Sequence, residues 1–230
     1  MCESPVFPKD DRYKRSSYLA YNWKMPISYD SCIWLKLFNI DSLDEAVIRQ
    51  IPNNKNSIRI LDIGCATGRL LDKLAKRGYT NLSGIDLAPR IIEIAREKLS
   101  KHNIKVELSV ADTEDKLPWS DNTFNVVMLT GVIHHFYRLY DALKESYRVL
   151  DNQGILIISD PYFPAIVRQL INSWLHFFPH DGDFRFYTPC SLEMKLTKIG
   201  LKDIYYSKVG RWSYIIVGKK YYNNVGLNAI

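Results

Sequence analysis

Cysteine is scarce in this sequence of 230 residues, and no two cysteines lie close together. The four are Cys2, Cys32, Cys65 and Cys190, with no CxxC pair among them. Such wide spacing argues against a zinc site and against a framework of disulfide bonds. We therefore expect a protein without a bound metal, in a reducing, cytoplasmic compartment.

Long hydrophobic runs are also absent. The longest apolar stretches, around 126–133 and 154–158, are well short of the roughly 18 residues that a membrane-spanning helix needs. The first five residues lack the basic and apolar order of a secretory signal. The sequence therefore predicts no membrane span, while 47% hydrophobic and 24% charged residues indicate an ordinary globular chain.

The chain has a net charge of +6, and most of the excess of basic over acidic residues lies in its last third, where acidic residues are few. Basic and acidic residues balance over 1–57, by 8 to 7, and over 58–160, by 14 to 14. Residues 161–230 carry 9 basic against 4 acidic residues, without a basic run. This spread is more typical of a solvated face than of a phosphate-binding groove, so we do not expect nucleic acid as a partner.

From Ser57 onward, short β-rich runs alternate with helical patterns. Strands are predicted at 58–63, 81–87, 104–110, 124–129 and 155–159, and helices after Gly68, from Pro89 and over 139–150. Strands separated by helices over such short intervals imply right-handed parallel crossovers. The predicted fold class is therefore α/β: a Rossmann-like, doubly wound, mostly parallel seven-stranded sheet with helices on both faces. An antiparallel hairpin of 202–207 and 213–217 closes this sheet.

Two aromatic-rich segments flank the alternating unit. Residues 1–57 are dense in large rings, and a capping box at 42–45 predicts that a helix begins at Ser42. Residues 161–180 form the second segment, and a helix is predicted from Thr188-Pro189. We therefore divide the chain into a covering segment, 1–57, and a main domain, 58–230, in which 161–200 form an insertion on the substrate side.

The most informative segment is the turn after the first strand, Gly64-Cys65-Ala66-Thr67-Gly68. Small residues between a strand and a helix let the backbone approach a ligand at the helix N-terminus, which indicates a nucleotide-like ligand. The dinucleotide pattern GxGxxG needs glycine where Ala66 and Arg69 stand, and no GxxxxGK[ST] motif is present. The sequence therefore disfavours both NAD and a P-loop nucleotide.

Two carboxylates at strand ends narrow the choice of ligand. Asp62 stands at the end of an apolar strand, where it would repel a pyrophosphate and attract a cation. Asp86 ends the next strand, 22 residues after Gly64, near the spacing at which an acidic residue binds ribose hydroxyls. S-adenosylmethionine satisfies both requirements, because it is a nucleoside that carries a sulfonium and an ammonium but no phosphate. The alternative is that the two aspartates only cap their strands.

Five blocks in order resemble the class I S-adenosylmethionine-dependent methyltransferases, in their ubiquinone-biosynthesis-like, small-molecule branch. The blocks are 61–68, 84–88, 111–113, 117–127 with His134-His135, and 148–154. The resemblance implies transfer of a methyl group from S-adenosylmethionine, with S-adenosylhomocysteine as product. It also implies the cofactor-binding residues: Asp62, Gly64, Cys65, Ala66, Gly68, Asp86, Leu87, Asp112, Thr113 and Thr130. Ala66 departs from the family's middle glycine and adds a methyl group near the cofactor.

His134 and His135 follow the fourth strand, at the edge where open α/β sheets bind their ligands. An imidazole can remove a proton from a hydroxyl or amine acceptor, so both are candidate catalytic residues. The alternative is that the two histidines only form hydrogen bonds with backbone near the cofactor. A general base is not required, because a sulfonium is already an activated leaving group and positioning of the acceptor can supply much of the rate. Asp160-Pro161-Tyr162-Phe163 resembles a motif of amino-group nucleic-acid methyltransferases in letters only, since that motif belongs after the fourth strand.

The acceptor should be held by the two aromatic flanks, 1–40 and 161–187, which are long enough to cover the strand ends. Aromatic rings suit a flat or apolar small molecule, and Tyr13, Tyr18 and Tyr21 are candidates for a lid over cofactor and acceptor. Two alternatives stay open: a nucleic-acid or protein methyltransferase, and a catalytically inactive protein that binds S-adenosylmethionine. The sequence specifies neither the acceptor atom nor the oligomeric state.

Overall fold

The computed structural model describes residues 12–24, 29–31, 39–102, 106–178 and 180–222. Two cysteines named above, Cys2 and Cys32, lie outside the described residues, as do the rings of Trp34 and Phe38 in the aromatic-rich segment 1–57. The two remaining cysteines, Cys65 and Cys190, are free thiols.

Within the described ranges, seven strands form one sheet in the order β3-β2-β1-β4-β5-β7-β6. The strands are β1 (Arg59–Ile63), β2 (Asn81–Asp86), β3 (Val106–Val110), β4 (Phe124–Thr130), β5 (Leu150–Pro161), β6 (Lys202–Val209) and β7 (Ser213–Lys219). Strands β1 to β5 pair in parallel, whereas β7 is antiparallel to both β5 and β6. The predicted fold class and its antiparallel closing hairpin are confirmed.

Helices cover both faces of this sheet. They are α1 (Arg12–Leu19), α2 (Ile40–Ile48), α3 (Arg69–Lys76), α4 (Pro89–Leu99), α5 (Leu139–Val149), α6 (Ala165–Phe177) and α7 (Pro189–Lys198). Leu61 and Ile63 of β1 pack in one apolar cluster with leucines of α5 and α7, and Ile60 packs in another with residues of α2, α3 and α4. Among the described residues, no helix is both long and apolar enough to cross a membrane.

Two local predictions were wrong. Helix α2 begins at Ile40 instead of Ser42, after Asn39 in a left-handed conformation with φ of 48°, and no side chain caps it. Leu43 and Val47 of this helix are buried in the core. Strand β5 begins at Leu150 instead of 155, because Leu150 pairs with Phe124 beyond an irregularity in the ladder.

The other helix start was predicted correctly. Thr188 precedes Pro189 as the N-cap of α7, and its hydroxyl accepts the Ser191 N–H at 3.1 Å. The division of the chain at 57 and the insertion at 161–200 stay predictions.

The carboxyl ends of the parallel strands form one edge of the sheet, which two segments cover. The first is α1 with the π-helical turn Ala20–Lys24 that follows it. The second is the connection from α6 to α7, where the N–H groups of Phe184 and Arg185 donate to the His134 carbonyl at 2.8 and 3.1 Å. The candidate site lies under these two segments.

Candidate functional site

Gly64 brings the turn after β1 against β2. Its φ is 70°, and its N–H donates to the Ile85 carbonyl at 2.8 Å. A Cβ at this position would lie only 2.4 Å from Cγ2 of Val132. A side chain is therefore excluded here, both by the left-handed backbone and by the close contact.

Ala66 adopts the same backbone region without being a glycine, with φ of 47°. A left-handed conformation costs a residue with a Cβ on the order of 1 to 2 kcal/mol. The Ala66 N–H donates to Oδ2 of Asp86 at 3.1 Å, and this charge-assisted bond offsets part of that cost. The turn is thereby joined to the end of β2.

A first cavity, which encloses about 650 Å³ including space open to solvent, lies over this turn. Seven of the predicted site residues line it: Gly64, Ala66, Asp86, Leu87, Asp112, Thr113 and His135. Thr130 and His134 line a second cavity instead. Asp62, Cys65 and Gly68 are not among the lining residues of either cavity, and Asp62 and Cys65 are buried.

Asp62 is buried and Asp86 is half-buried, and both carboxyl groups have a raised pKa. Burial raises the pKa of Asp62 to about 8, and the neighbouring charge of Asp86 adds to the rise. Burial also raises the pKa of Asp86 to about 6, although Asp86 Oδ1 accepts the Ala88 N–H at 3.0 Å and Oδ2 accepts that of Ala66. Since burial penalises the ionised form, a cationic ligand would favour ionisation of both groups.

Lys14 of α1 reaches the same cavity from the covering segment. Its Nζ lies 2.5 Å from Asp112 Oδ2 and 2.7 Å from Glu114 Oε2. Burial alone would lower the pKa of Lys14, but the hydrogen bonds and charges of these two carboxylates raise it above 10.5. Helix α1 is therefore held by an ionic contact to the segment after β3, on one side of the cavity.

A second cavity adjoins the first and shares with it Tyr21, Tyr29, Gly131 and His135. It is larger, about 1300 Å³ including open space. Much of its wall comes from the insertion and is apolar or aromatic: Pro161, Phe163, Ile171, Trp174, Leu175 and Phe186. The two cavities therefore meet at the end of β4.

The three tyrosines predicted to form a lid have different positions. Tyr21 lines both cavities. Tyr13 is 3% exposed and packs on Tyr137 and Phe184, with ring centroids 5.9 and 4.8 Å away. Tyr18 is also buried. Tyr13 and Tyr18 therefore belong to the packing beneath the covering segment.

His134 forms a buried pair with Asp160 at the end of β5. Its Nδ1 lies 2.7 Å from Asp160 Oδ1, and its ring stacks on Phe186 with centroids 5.0 Å apart. Burial by itself lowers the pKa of His134, but the charge and hydrogen bond of Asp160 outweigh it and raise the pKa to about 9. Asp160 therefore favours the charged form of His134 and occupies its Nδ1, which makes His134 a poor general base.

His135 is the neutral partner in this histidine pair. Its Nε2 lies 3.1 Å from the Tyr21 hydroxyl, and its Nδ1 lies 3.2 Å from Oδ1 of Asp183. Burial lowers the pKa of His135 well below 6.5, and the charge on His134 lowers it further. Of the two candidate catalytic residues, His135 has the protonation state of a general base, and its catalytic role stays a prediction.

His134, His135 and Asp183 also form a possible metal-ligand set. One donor atom from each lies within 4.8 Å of the others, and two imidazoles with a carboxylate suit zinc or iron. The cysteine spacing could not reveal such a set. The expectation of a metal-free protein stays a prediction.

Among the site residues that were not predicted are the charged residues Lys14, Glu114 and Asp183. Glu114 lies two residues beyond Asp112, and its backbone N–H donates to Asp112 Oδ1 at 2.9 Å, so its proximity was available from the sequence. Lys14 and Asp183 are far from their partners along the chain. No spacing pattern could have found them.

A comparison with protein families matches the centre of the chain. Residues 61–158 match the family model described as a methyltransferase domain. This range contains the turn at Gly64, Asp86 at the end of β2 and both histidines after β4. The match to a methyltransferase domain agrees with the resemblance of the motifs to the class I S-adenosylmethionine-dependent methyltransferases.

Curated relatives are similar over part of their length. The chain is 29% identical over 152 residues to a ubiquinone biosynthesis O-methyltransferase of Pelagibacter ubique, covering 63% of this chain and 62% of the relative. It is 34% identical over 106 residues to a demethylmenaquinone methyltransferase of Chlorobaculum parvum, covering 46% and 42%. The chain thus spans about half the length of the curated relatives that it matches.

Solved structures share the fold. A methyltransferase of Aquifex aeolicus described as SAM-dependent matches with a TM-score of 0.61 and 21% identity, over 76% of this chain and 88% of that one. A Pyrococcus horikoshii protein matches with a TM-score of 0.64 and 24% identity, over 94% of this chain and 100% of that one. At these identities the likeness shows the fold alone.

Proposed function

We propose that this chain is an S-adenosylmethionine-dependent methyltransferase whose acceptor is a small, partly apolar or aromatic molecule. The observation that carries the proposal is the meeting of two cavities at the carboxyl edge of the sheet. They share Tyr21, Tyr29, Gly131 and His135. One cavity lies on the family's glycine turn and the other is largely apolar. A donor and an acceptor bound in them would face each other across the shared wall.

The residues of the first cavity fit S-adenosylmethionine in their chemistry. Asp86 offers a carboxylate to ribose hydroxyls, and Asp112 with Thr113 forms the turn that the family places against adenine. Asp62 is buried two residues before Gly64 and does not line the cavity, but its charge would favour the cationic amino-acid moiety. The bound cofactor supplies an activated methyl group. The side chain excluded at Gly64 by the Val132 contact leaves backbone free to line this space.

The residues at the shared wall would position the acceptor and manage its proton. His135 is neutral because burial and the charge of His134 depress its pKa, so it can accept a hydrogen bond or a proton from an acceptor hydroxyl. His134 is committed to Asp160. We propose that alignment of acceptor and donor supplies most of the rate and that His135 has a secondary role.

The names of the relatives support an aromatic acceptor. They include methyltransferases of ubiquinone biosynthesis, of demethylmenaquinone and of 2-methyl-6-phytyl-1,4-hydroquinone. A quinol ring would suit a wall built from Phe163, Trp174 and Phe186. We also propose a cytoplasmic location, which the wide cysteine spacing supports.

Ligand-dependent thermal stability tests the cofactor. A ligand that binds only the folded state stabilises it by about 2.7 kcal/mol at one hundred times its dissociation constant. S-adenosylhomocysteine should therefore raise the melting temperature, whereas NADH and ATP should not. Equal shifts with all three ligands, or a shift with NADH alone, would contradict the proposal.

Methyl-labelled cofactor tests the acceptor. Purified protein should transfer label to a quinol or another small phenol from a compound pool, and not to RNA or protein. Transfer to RNA, with sub-micromolar RNA binding lost on charge reversal of Lys195, Lys198 and Lys202, would favour the nucleic-acid alternative. Cofactor binding without transfer to any class of acceptor would favour the inactive binding protein.

A further inference from the structure

Helix α6 turns an apolar face toward solvent. Ile166, Leu170, Trp174 and Phe177 are 74%, 67%, 50% and 68% exposed. Their spacings of four, four and three residues place them within roughly a quarter of the helix circumference. Single exposed apolar residues are common on proteins, but four on one helical face mark an interaction surface. We call these four residues the α6 face.

The opposite side of α6 is fixed to the body of the protein. Leu175 is 2% exposed. The Asn172 side chain makes two hydrogen bonds to the backbone of Phe186, at 2.9 and 3.1 Å. The Tyr13 hydroxyl donates to the carbonyls of the last turn, 3.2 Å from that of His176. The α6 face therefore points toward solvent, because the opposite face of the helix already makes the contacts with the rest of the protein.

Basic side chains stand near both ends of the α6 face. Arg168 lies on the helix and donates to the Phe163 carbonyl, and Lys208 lies over the Tyr162 ring at 4.2 Å, just before the helix. At the other end, Arg12 donates to the His176 carbonyl. Helix α6 itself has no acidic residue over its 13 positions. Basic side chains therefore flank both ends of the apolar face, while the acidic Asp181 and Asp183 line the second cavity beside Trp174.

We propose that the α6 face binds the surface of a lipid bilayer containing anionic lipid. Apolar side chains on one face of a short helix, with basic residues around them, are the features of a helix that lies in the membrane interface. Trp174 suits the headgroup level, and the basic residues match anionic headgroups. Thirteen residues rise about 20 Å along a helix axis, so α6 lies on the bilayer and does not span it.

The position of the second cavity favours lipid over a second copy of this chain. Trp174 belongs to the α6 face and also lines the second cavity, so the cavity wall reaches the proposed membrane surface. An apolar acceptor dissolved in lipid would reach the cavity without crossing water, a consequence that rests on the proposed function. A symmetric dimer through the α6 face would instead bring its flanking basic side chains against their own copies.

Vesicle binding by the full chain tests the proposal. The test variant is Ile166→Gln, Leu170→Gln and Phe177→Gln together, because none of the three lines either cavity. The matched control is Met194→Gln on α7, where the side chain is 65% exposed. In cosedimentation with vesicles of phosphatidylglycerol and phosphatidylcholine in equal parts, wild type and control should bind equally. The triple variant should bind at least about tenfold more weakly.

A charge variant separates the ionic contribution. Lys208→Gln with Arg168→Gln should weaken binding to the mixed vesicles by about fivefold for each charge removed at low salt. Weak binding to pure phosphatidylcholine should not change. An unaltered affinity for mixed vesicles would remove the ionic part of the argument and overturn the commitment to anionic lipid.

Two results would overturn the proposal as a whole. One is wild type that binds neither kind of vesicle. The other is wild type that is dimeric by sedimentation equilibrium, becomes monomeric in the triple variant and leaves vesicles unbound, which would assign the α6 face to a second copy. Far-UV circular dichroism and the thermal shift with S-adenosylhomocysteine report folding and cofactor binding in every variant. Failure of vesicle binding is therefore distinguishable from failure of the proposed function.

Discussion

Two pairs of acidic residues, each with one buried and one half-buried member, lie near the carboxyl edge of the sheet. They differ in what faces them. Asp86 accepts N–H bonds from Ala66 and Ala88, while Asp62 lies close enough to it for their charges to repel. Asp160 and Asp183 instead face imidazoles, with Asp160 Oδ1 2.7 Å from His134 Nδ1. The first pair is an acidic site suited to a cation, whereas in the second pair Asp160 already has an imidazole partner within the protein.

This difference separates ligand binding from stability. Changes in the first pair should alter affinity for the cofactor, and one of them should even stabilise the free protein. Changes in the second pair should destabilise the fold and leave cofactor affinity nearly intact. The predictions below test that separation.

The largest effect is expected for Asp160→Ala. The variant leaves the buried His134 ring without its ionic partner, which should lower the free energy of unfolding by about 3 kcal/mol. Because the folded pKa of His134, about 9, exceeds its unfolded value, this stabilisation is full at low pH and is lost as pH rises through 9. Urea denaturation at pH 7 and pH 9.5 measures it, with Asp151→Ala on the same strand as control. A loss equal to the control's at pH 7 would show that the pair does not stabilise the fold.

Asp86→Ala should act on affinity. Loss of a charged acceptor should weaken binding of S-adenosylhomocysteine by about 1.5 to 3 kcal/mol, measured by calorimetry. Asp62→Ala should weaken it too. The free Asp86 variant should remain folded by circular dichroism, and the exposed Asp115→Ala should bind like wild type. Unchanged affinity in the Asp86 variant would mean that this carboxylate does not bind the ribose.

Asp62→Asn should stabilise the free protein, whereas most substitutions of buried residues destabilise it. The folded pKa of Asp62, about 8, is above its unfolded value, so the folded state keeps the extra proton. Wild-type stability should therefore fall as pH rises from about 4 to about 8, by at most about 1.4 kcal/mol per pH unit. The variant has no carboxyl group to ionise at this position, so its stability relative to wild type should increase as pH rises over that range. Parallel curves of melting temperature against pH would argue that Asp62 titrates normally.

The smallest effect is expected for His135→Asn. If alignment supplies most of the rate, turnover should fall less than about tenfold, which is under about 1.4 kcal/mol, with cofactor affinity unchanged. The wild-type pH profile should then follow the acceptor, because the pKa of His135 lies well below 6.5. A loss of about 10² to 10⁴ with intact affinity would instead identify His135 as a general base.

The parts of the fold that were predictable depend on local signals. The alternation of strands and helices, the turn at Gly64 and the placement of Asp62 and Asp86 follow from period and from strand ends. The Thr188 cap is likewise local. The start of α2 was not predictable from the capping box, because the helix begins earlier, at Ile40, after the left-handed Asn39 and without a side-chain cap.

The parts of the site that were missed depend on contacts distant in sequence. Asp183 reaches His135 only because the connection after α6 bonds to the backbone of β4's end. The sequence also did not predict that Trp174 and Phe177 are exposed. A high density of aromatic rings predicts that some of them are buried, but it does not indicate which face of a helix packs against the core. Composition indicated an aromatic insertion without indicating its orientation.

Lys14 makes the free cavity a site of competition. Its ammonium already satisfies Asp112, at 2.5 Å, so a ligand amino group that binds this carboxylate must take the place of that ammonium. The measured binding free energy is then the free energy of the contact between ligand and Asp112 minus that of the contact between Lys14 and Asp112. By the reciprocity of linked equilibria, whatever fills the cavity in this way loosens the hold of α1 on the turn after β3 by the same free energy.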